Sequence, residues 1–173
     1  MSNVSFVVVN VTTQAVVRGG TCAGESVAAQ AMSGEVAYPV EPGVLGWPDV
    51  NLTPQKHAVW LAAKAKRDAI INSGAMTPSG LVDSDEISRS NIAGATMAAM
   101  LAQQAGQSFS IEWTLATNDV VTLDAEQMIG VGLATMSHVN SAHDRARALR
   151  TEIESATDLV ALLTMDLETG WPA

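Results

Sequence analysis

Residues 124–155 read DAEQMIGVGLATMSHVNSAHDRARALRTEIES, and this stretch decides the fold of the chain. Its apolar and small residues recur at alternating intervals of four and three positions, which is the spacing of a coiled-coil-like helical seam. That seam consists of Met128, Gly132, Thr135, Val139, Ala142, Ala146, Leu149 and Ile153. Asp124 and Gln127 have the spacing of a capping box at a helix N-terminus. We therefore predict one long helix over residues 125–155.

A β-hairpin is predicted immediately before the long helix. Phe109, Ile111 and Trp113 alternate with polar residues, which is the period of a strand with one buried face. Residues 120–123 supply the returning strand, so the hairpin covers about residues 108–123. We expect Trp113 to fill the space between this hairpin and the long helix.

Two further helices are predicted upstream of the hairpin. Thr53 followed by Pro54 is typical of an N-cap and a first helical position, so a helix begins there and ends at a loop of residues 74–80. Asp83 and Glu86 have capping-box spacing, which places the start of the second helix directly after Asp83. The predicted seam of this second helix consists of Ile87, Asn91, Ala95, Ala98 and Leu101.

The N-terminal region is predicted to be a small module with the element order ββαβ. Residues 4–11 and 15–17 are largely apolar and β-branched, as in the two strands of a hairpin. Residues 25–32 have the alanine content of a short helix, and residues 36–40 return to strand composition. At about 40 residues, this module is too small to bury a comfortable core by itself.

Three segments are therefore predicted along the chain. The ββαβ module covers residues 1–42, and a Pro/Gly linker covers residues 43–53. A mainly helical module with the β-hairpin insert covers residues 54–173, and Thr157 is predicted to cap a last short helix within it. The fold class that follows is α+β.

Composition limits the classes of function. Hydrophobic residues make up 47 % of the 173 residues, but 27 of them are alanine and only seven are aromatic, so we expect a thin core that partner chains complete. Nine Lys and Arg against 18 Asp and Glu give a net charge of −9, which argues against binding to nucleic acid or to an anionic membrane. No apolar run approaches the roughly 20 residues that span a bilayer, so we expect neither export nor membrane insertion.

The chemistry-bearing residues form no recognised catalytic or metal-binding motif. His138 and His143 are five positions apart, which places them on different faces of a helix, and His57 is distant in sequence. The acidic cluster around Asp85 lacks the glycine and distal glutamate of an EF-hand loop, so helix capping explains it better than calcium. Cys22 is the single cysteine and has no motif that ties it to a histidine. We predict no catalytic, cofactor-binding or metal-binding residues and no cofactor.

Two tryptophans are the candidate interface residues. Trp47 and Trp171 each precede a proline in an irregular segment. Either side chain can be folded back onto the protein or can anchor a contact with a partner, as exposed tryptophans commonly do. Both alternatives stay open from the sequence.

The motifs of the second module, taken together, resemble a known family. They are Lys66–Ala69, Val82–Arg89, Phe109–Trp113, Val121–Ala125, His138, Leu149 and Ile153–Ala156. In this order, residues 64–165 resemble a domain of unknown function found in tail proteins of tailed bacteriophages. That family has no catalytic motif that could be transferred to this chain.

The N-terminal module is more weakly similar to small N-terminal segments of phage tail and fibre-associated proteins. The matching positions are Arg18, Gly19, Gly20, Cys22, Ala29, Gln30, Ala31, Gly34 and Glu35. Such segments often have an Asp/Asn-Gly turn where this chain has Thr13 and Gln14. The sequence therefore leaves the type of this turn open.

The resemblance implies a non-enzymatic structural protein of a phage tail, located in the baseplate, tail tip or fibre-attachment region. It would be synthesised in the cytoplasm of the bacterial host and act as an adaptor in the virion. Its partners would be other tail proteins and further copies of itself, in a trimeric or sixfold-related homo-oligomer. One alternative is a tail-fibre assembly chaperone that is not retained in the virion, and another is a small enzyme that uses Cys22.

Overall fold

The structure is a computed structural model that describes residues 3–44 and 51–172. Within these residues, strands at the N-terminus are followed by a mainly helical region with three long helices, so the predicted α+β class is confirmed. The strands are β1 (Asn3–Asn10), β2 (Val16–Ala23), β3 (Glu35–Val40), β4 (Ala75–Thr77), β5 (Gly80–Val82), β6 (Ser110–Thr114) and β7 (Val120–Asp124). The α-helices are α1 (Thr53–Ile71), α2 (Glu86–Gln104), α3 (Ala125–Ser155) and α4 (Leu159–Leu163).

The chain forms two compact units, and each unit combines distant parts of the sequence. Unit 1 contains Met1–Ala63 and Ala148–Leu167, and unit 2 contains Lys64–Arg147 and Glu168–Ala173. Helices α1 and α3 each contribute residues to both units. The division into segments 1–42, 43–53 and 54–173 stays a prediction.

Unit 1 contains a three-stranded antiparallel sheet with the order β2-β1-β3. The central strand β1 is buried on both faces because its side chains alternate between two clusters. Val7 and Val9 lie in one cluster with Val40, Val44, Leu159 and Val160, and Phe6 and Val8 lie in the other with Val27. This explains why β1 is almost continuously apolar, whereas β2 and β3 carry exposed residues.

The predicted hairpin of the first module is confirmed, and the structure resolves its turn. Asn10 Oδ1 accepts hydrogen bonds from the backbone N–H groups of Thr12 and Thr13 at 3.0 and 2.9 Å. Gln14 adopts a left-handed conformation with φ 56°, the position that glycine takes in many hairpins. An Asx turn therefore closes the hairpin without the Asp/Asn-Gly pair.

The predicted helix over residues 25–32 is wrong as an α-helix. The segment forms two single 3₁₀ turns, Gly24–Ser26 and Ala28–Gln30. An α-helix of two turns is costly to nucleate, and side chains here take the backbone groups that would continue it. Arg18 Nη2 donates to the carbonyl of Gln30 at 2.7 Å, and the N–H of Met32 donates to Glu35 Oε2 at 2.9 Å.

The rest of unit 1 is helical. Val59 of α1, Ile153 of α3 and Leu162 of α4 form a buried cluster. Helix α4 is capped by Asp158, whose Oδ1 accepts from the N–H of Ala161 at 2.8 Å. The prediction that Thr157 caps this helix is therefore wrong by one residue.

Unit 2 has a core to which β-hairpins and helices contribute. Its buried members are Ala75, Val82, Ile92, Ala99, Leu123, Met128 and Val131. Phe109, Ile111 and Trp113 lie half-buried against this cluster. The prediction that these three side chains face the core is therefore confirmed. The β6–β7 hairpin pairs Trp113 with Val121.

Helix α3 has the predicted bounds. Its predicted capping box is confirmed by the reciprocal hydrogen bonds between Asp124 and Gln127, which are both 2.9 Å long.

A second hairpin occupies most of the predicted 74–80 loop. Strands β4 and β5 pair through Met76 and Leu81, just after α1 ends. Ser84, which is fully buried, accepts from the N–H of Gly74 at 2.9 Å and donates to the carbonyl of Ile71 at 2.6 Å. This pair of hydrogen bonds ties the end of α1 to the segment that follows the hairpin.

Helix α2 differs from its prediction in both its start and its buried face. Asp85, not Asp83, is the N-cap, because the buried Ser84 holds the preceding residues outside the helix. The buried residues of α2 are Ile92 and Ala99, whereas Ile87 and Leu101 of the predicted seam are 73 % and 57 % exposed.

No helix within the described residues is long and apolar enough to cross a membrane.

Candidate functional site

An open groove of about 650 Å³ lies between α2 and α3 in unit 2. It is lined by small residues, among them Ala93, Thr96 and Gly132, and by larger apolar side chains. The exposed large apolar residues of this lining are Met97 (58 %), Met100 (51 %), Leu133 (64 %) and Met136 (63 %). We call these four side chains the methionine patch. Side chains of this size and exposure are typical of surfaces that contact another protein.

Helices α2 and α3 approach each other closely at the groove. A Cβ atom added to Gly132 would lie 2.3 Å from the hydroxyl oxygen of Thr96, so only glycine fits at this crossing. Ile92 on α2 and Val131 on α3 are buried in the core beneath. The inner faces of α2 and α3 thus build the core of unit 2, while their outer faces leave the methionine patch exposed.

The two helices carry almost no charge where they form the groove. Residues 90–111 contain no Asp, Glu, Lys or Arg, and neither do residues 127–143. Among the described residues that line the groove, Arg89 is the only charged one. A protein surface usually carries about 25–35 % charged residues, so this face is depleted of charge over several helical turns.

Methionine gives such a face adaptable contacts. Its unbranched side chain and polarisable sulfur let it fit partner surfaces of different shape. The described residues that line the groove include no cluster of nucleophilic or acid–base side chains. What this arrangement can do is bury an apolar surface of another polypeptide.

A polar depression lies near the N-terminus of α2, in the same unit. Arg89 Nη1 donates to Asn72 Oδ1 at 3.1 Å and to the carbonyl of Ser84. Asp85 accepts from the N–H groups of Ile87 and Ser88 and from the Ser88 hydroxyl. The hydrogen bonds from Ser88 lower the pKa of the Asp85 carboxyl below its ordinary range. The Asp85 carboxylate therefore caps α2. Helix capping explains the acidic cluster, as predicted, but the capping residue is Asp85 and not Asp83.

Ionic contacts in unit 1 also hold the fold together. Arg18 donates to both carboxylate oxygens of Glu35, at 2.9 and 2.5 Å, and joins β2 to β3 across the sheet. The Arg18 guanidinium, followed by the N–H of Met32, lowers the pKa of Glu35. The geometry is the bidentate one that gives such pairs their specificity.

The sequence-predicted interface residues are placed as follows. Trp47 lies outside the described residues. Trp171 is half-buried in the C-terminal segment of unit 2. That segment is tied to the rest of the unit by Lys66 Nζ with Glu168 Oε2 at 2.5 Å and by Arg145 Nε with the carbonyl of Thr169 at 3.0 Å. The use of either tryptophan as an interface anchor stays a prediction.

The remaining candidate side chains are not among the residues that line the groove. Cys22 is half-buried against the cluster of Phe6, Val8 and Val27 in unit 1. His57 is exposed, His143 is half-buried, and His138 is buried with Nε2 donating to the carbonyl of Ile70 at 2.9 Å. Within the described part of the chain, no three His, Cys, Asp or Glu side chains cluster as a metal site requires.

Part of the chain matches a known protein family. Residues 54–168 match the family described as Domain of unknown function (DUF4376). The chain belongs to this family. The matched DUF4376 region starts one residue into α1 and includes both helices of the groove. No curated protein and no solved structure matches the chain.

The groove was not predicted from the sequence. The signal that could have found it is the absence of charge from residues 90–111, combined with Met97 and Met100 within that stretch. An alanine-rich helix has apolar residues on every side, so periodicity alone did not show which side faces outward.

Proposed function

We propose that the protein is a non-enzymatic structural component of a bacteriophage tail, in the baseplate, tail tip or fibre-attachment region. The methionine patch and its uncharged surroundings carry the proposal, because they form a surface suited to binding another protein. The association with tails rests on the resemblance of residues 64–165 to a domain found in phage tail proteins. Membership of the DUF4376 family is consistent with that resemblance but names no function.

In this role the chain acts as an adaptor between neighbouring tail proteins. The N-terminal strands and the DUF4376 region would engage different neighbours, and copies of the chain would associate in a trimeric or sixfold-related arrangement. The acidic character of the chain, with a net charge of −9, disfavours nucleic acid as the partner.

The direct test is mass spectrometry of purified virions from a phage that encodes the chain. We expect the protein in a fixed ratio to known tail components after gradient purification. Its absence from virions, together with recovery of the chain bound to fibre protein from infected cells, would favour the alternative of an assembly chaperone.

A deletion tests the adaptor role within the particle. A chain that lacks residues 1–50 should be incorporated poorly, since it retains only one of the two proposed contact regions. Incorporation equal to that of the full-length chain would refute the adaptor model while leaving a structural role possible.

The enzymatic alternative rests on Cys22. An activity that survives purification and disappears in the Cys22→Ala variant would refute the structural proposal. Cys22 contacts the Phe6 cluster, so the variant should be checked for a native circular dichroism spectrum before activity is compared.

A further inference from the structure

We infer that a small cavity beside the N-terminal half of α2 binds one ring of a neutral sugar. The cavity has a volume of about 220 Å³ and lies within unit 2. It is lined by Asp83, Ser88, Asn91, Trp113 and Thr114. The inference goes beyond the proposed structural role and does not rest on it, because none of these residues lines the groove between α2 and α3.

The cavity lies between α2 and the end of β6. Ser88 and Asn91 are three positions apart on α2, so both lie on one face of this helix. Trp113 and Thr114 are the last two residues of β6. The Trp113 side chain also packs against the core of unit 2. The aromatic part of the lining is therefore held in place by the core and does not need a ligand to position it.

Asp83 is brought to the same cavity by the strand that precedes it. It directly follows β5, whose last residue, Val82, is fully buried in the core. The carbonyl of Leu81 in β5 accepts a hydrogen bond of 2.9 Å from the N–H of Ala116, just after β6. These contacts hold Asp83 beside the end of β6, where its side chain lines the cavity.

The polar side chains of the cavity are available to a ligand. Asp85, and not Asp83, caps α2. Within the described residues, the side chains of Asp83, Asn91 and Thr114 have no hydrogen-bond or ion-pair partner. The Ser88 hydroxyl donates to Asp85 Oδ2 at 2.6 Å, and its oxygen can still accept a hydrogen bond. A ligand can therefore bind here without breaking a hydrogen bond of the fold.

The mixture of donors and acceptors favours a ligand that carries hydroxyl groups. The Asp83 carboxylate accepts hydrogen bonds, whereas the Asn91 amide and the Thr114 hydroxyl both donate and accept. A sugar hydroxyl also donates and accepts, so it can bind to all three groups. An ammonium or guanidinium ion only donates, so it cannot accept from the Asn91 amide. An anion would be repelled by the Asp83 carboxylate.

The aromatic ring and the size of the cavity favour a single sugar ring. One face of a pyranose consists of C–H groups, which can pack against the electron-rich face of the Trp113 ring. The volume of about 220 Å³ is several times the roughly 30 Å³ of one water molecule, but it is below the roughly 300–1,000 Å³ of pockets for drug-sized ligands. One neutral pyranose, either free or as a unit of a polysaccharide, combines these properties.

The test is an NMR titration of the full-length chain with the methyl glycosides of glucose, galactose, mannose and N-acetylglucosamine. We expect at least one of them to bind saturably with a dissociation constant of about 1–10 mM, since a small open site makes few hydrogen bonds. The largest shifts should be those of the Trp113 indole N–H and the Asn91 side-chain amide. Nα-acetyl-arginine amide, the cationic probe, should not bind.

Two results of this titration would overturn the inference. One is the absence of binding by every glycoside up to about 50 mM. The other is binding of the arginine probe without binding of any glycoside, which would make the cavity a site for cationic side chains.

Two substitutions locate the sugar in the cavity. Asp83→Ala and Asn91→Ala should each weaken binding at least about fivefold, because each removes a hydrogen-bonding group from the site. Asn140→Ala is the matched control, since Asn140 is an exposed asparagine of α3 in the same unit and does not line this cavity. It should bind the glycoside as the wild type does.

The variants are informative because Asp83 and Asn91 are exposed, so both proteins should keep a native circular dichroism spectrum. Unchanged affinity in either natively folded variant would place the sugar elsewhere and overturn the inference.

Longer ligands distinguish the two sources of the sugar ring. Tighter binding of oligosaccharides that contain the preferred sugar would identify a polysaccharide as the ligand, whereas equal binding would identify the single sugar. The outcome is also separate from the proposed function. Failure of every glycoside to bind leaves a structural role in the virion intact, and absence of the chain from virions leaves the sugar site intact.

Discussion

The two halves of α3 share one buried seam but differ in their outer faces. Met128 in the first half and Leu149 in the second are both fully buried. Residues 125–143 contain a single charged residue, Glu126, whereas residues 144–155 contain six. The same periodicity therefore produces the same inward face, while the outward faces have opposite character.

The outer face of the second half is typical of a helix in contact with water. Arg147 pairs with Asp144, and Arg150 Nε lies 2.7 Å from Glu154 Oε1. The Arg150 guanidinium also lies 5.2 Å from the centre of the Trp60 ring, in a cation–π contact. Charges on this half therefore pair with each other and with the neighbouring Trp60 ring.

The outer face of the first half has no such arrangement. Leu133 and Met136 are both more than 60 % exposed and lie in an uncharged stretch. The apolar seam is therefore buried in both halves, although the outer face is charged in one half and uncharged in the other. The predictions below test the seam first and the outer faces last.

The largest expected effect comes from the core beneath the uncharged half. Trp113 lies half-buried against the cluster that contains Met128 and Val131. Trp113→Ala should lower the free energy of unfolding by about 3 to 5 kcal/mol, as large aromatic truncations do. Urea titration measures the loss, and a value below about 1 kcal/mol would show that the ring contributes little to the core.

The seam itself should be equally sensitive in both halves. Met128→Ala and Leu149→Ala each remove a fully buried side chain and should each cost about 2 to 5 kcal/mol. Thermal and urea unfolding measure both variants under the same conditions. A large cost in one half and a negligible cost in the other would break the comparison, because the seam would then not be uniform.

Two glycines of the first half provide a matched pair. Gly132→Ala should destabilise by about 1 to 3 kcal/mol, because its methyl group would overlap Thr96. Gly130→Ala should stabilise by about 0.5 to 1 kcal/mol, since a Cβ there meets nothing within 4 Å and alanine favours the helix.

A second substitution at the crossing is the control for overlap. Thr96→Ala should recover part of the stability lost in Gly132→Ala, because it removes the atoms that the new methyl group meets. Equal stability of the Gly130→Ala and Gly132→Ala variants would contradict the close approach of α2 and α3.

Acidification should weaken the paired charges of unit 1. Arg18 lowers the pKa of Glu35 below its ordinary value of 4.5, so this carboxylate stabilises the folded state above that pH. The contribution is lost as the pH falls through the lowered folded-state pKa. Urea titrations from pH 7 downward should therefore show a decline in stability below pH 4.5 that is smaller in Glu35→Gln.

The smallest effect on folding is expected at the outer face of the first half. Leu133→Gln should change the free energy of unfolding by no more than about 0.5 kcal/mol, because Leu133 is 64 % exposed. A loss above about 2 kcal/mol would mean that this side chain belongs to the core and that the outer face has been assigned wrongly.

Much of the fold could be predicted because capping motifs and the alternation of apolar and polar residues involve only residues that are close in sequence. The capping box of Asp124 and Gln127 and the alternation that ends at Trp113 each fix an element without distant partners. The start of α2 could not be predicted, because it depends on the hydrogen bonds of Ser84 to Ile71 and Gly74, which are distant in the sequence. The groove could not be predicted for a related reason, since it needs the orientation of two helices.

The sequence by itself determined the α+β class, the long helix, the hairpin before it and the concentration of charge in the second half of α3. Only the tertiary structure decided which side of α2 is buried. That helix has alanines and methionines around its whole circumference, so no face has a decisive preference for the interior. The choice depends on Val82, Leu123 and Val131, which the fold brings against Ile92 and Ala99 and which leave Met97 and Met100 exposed.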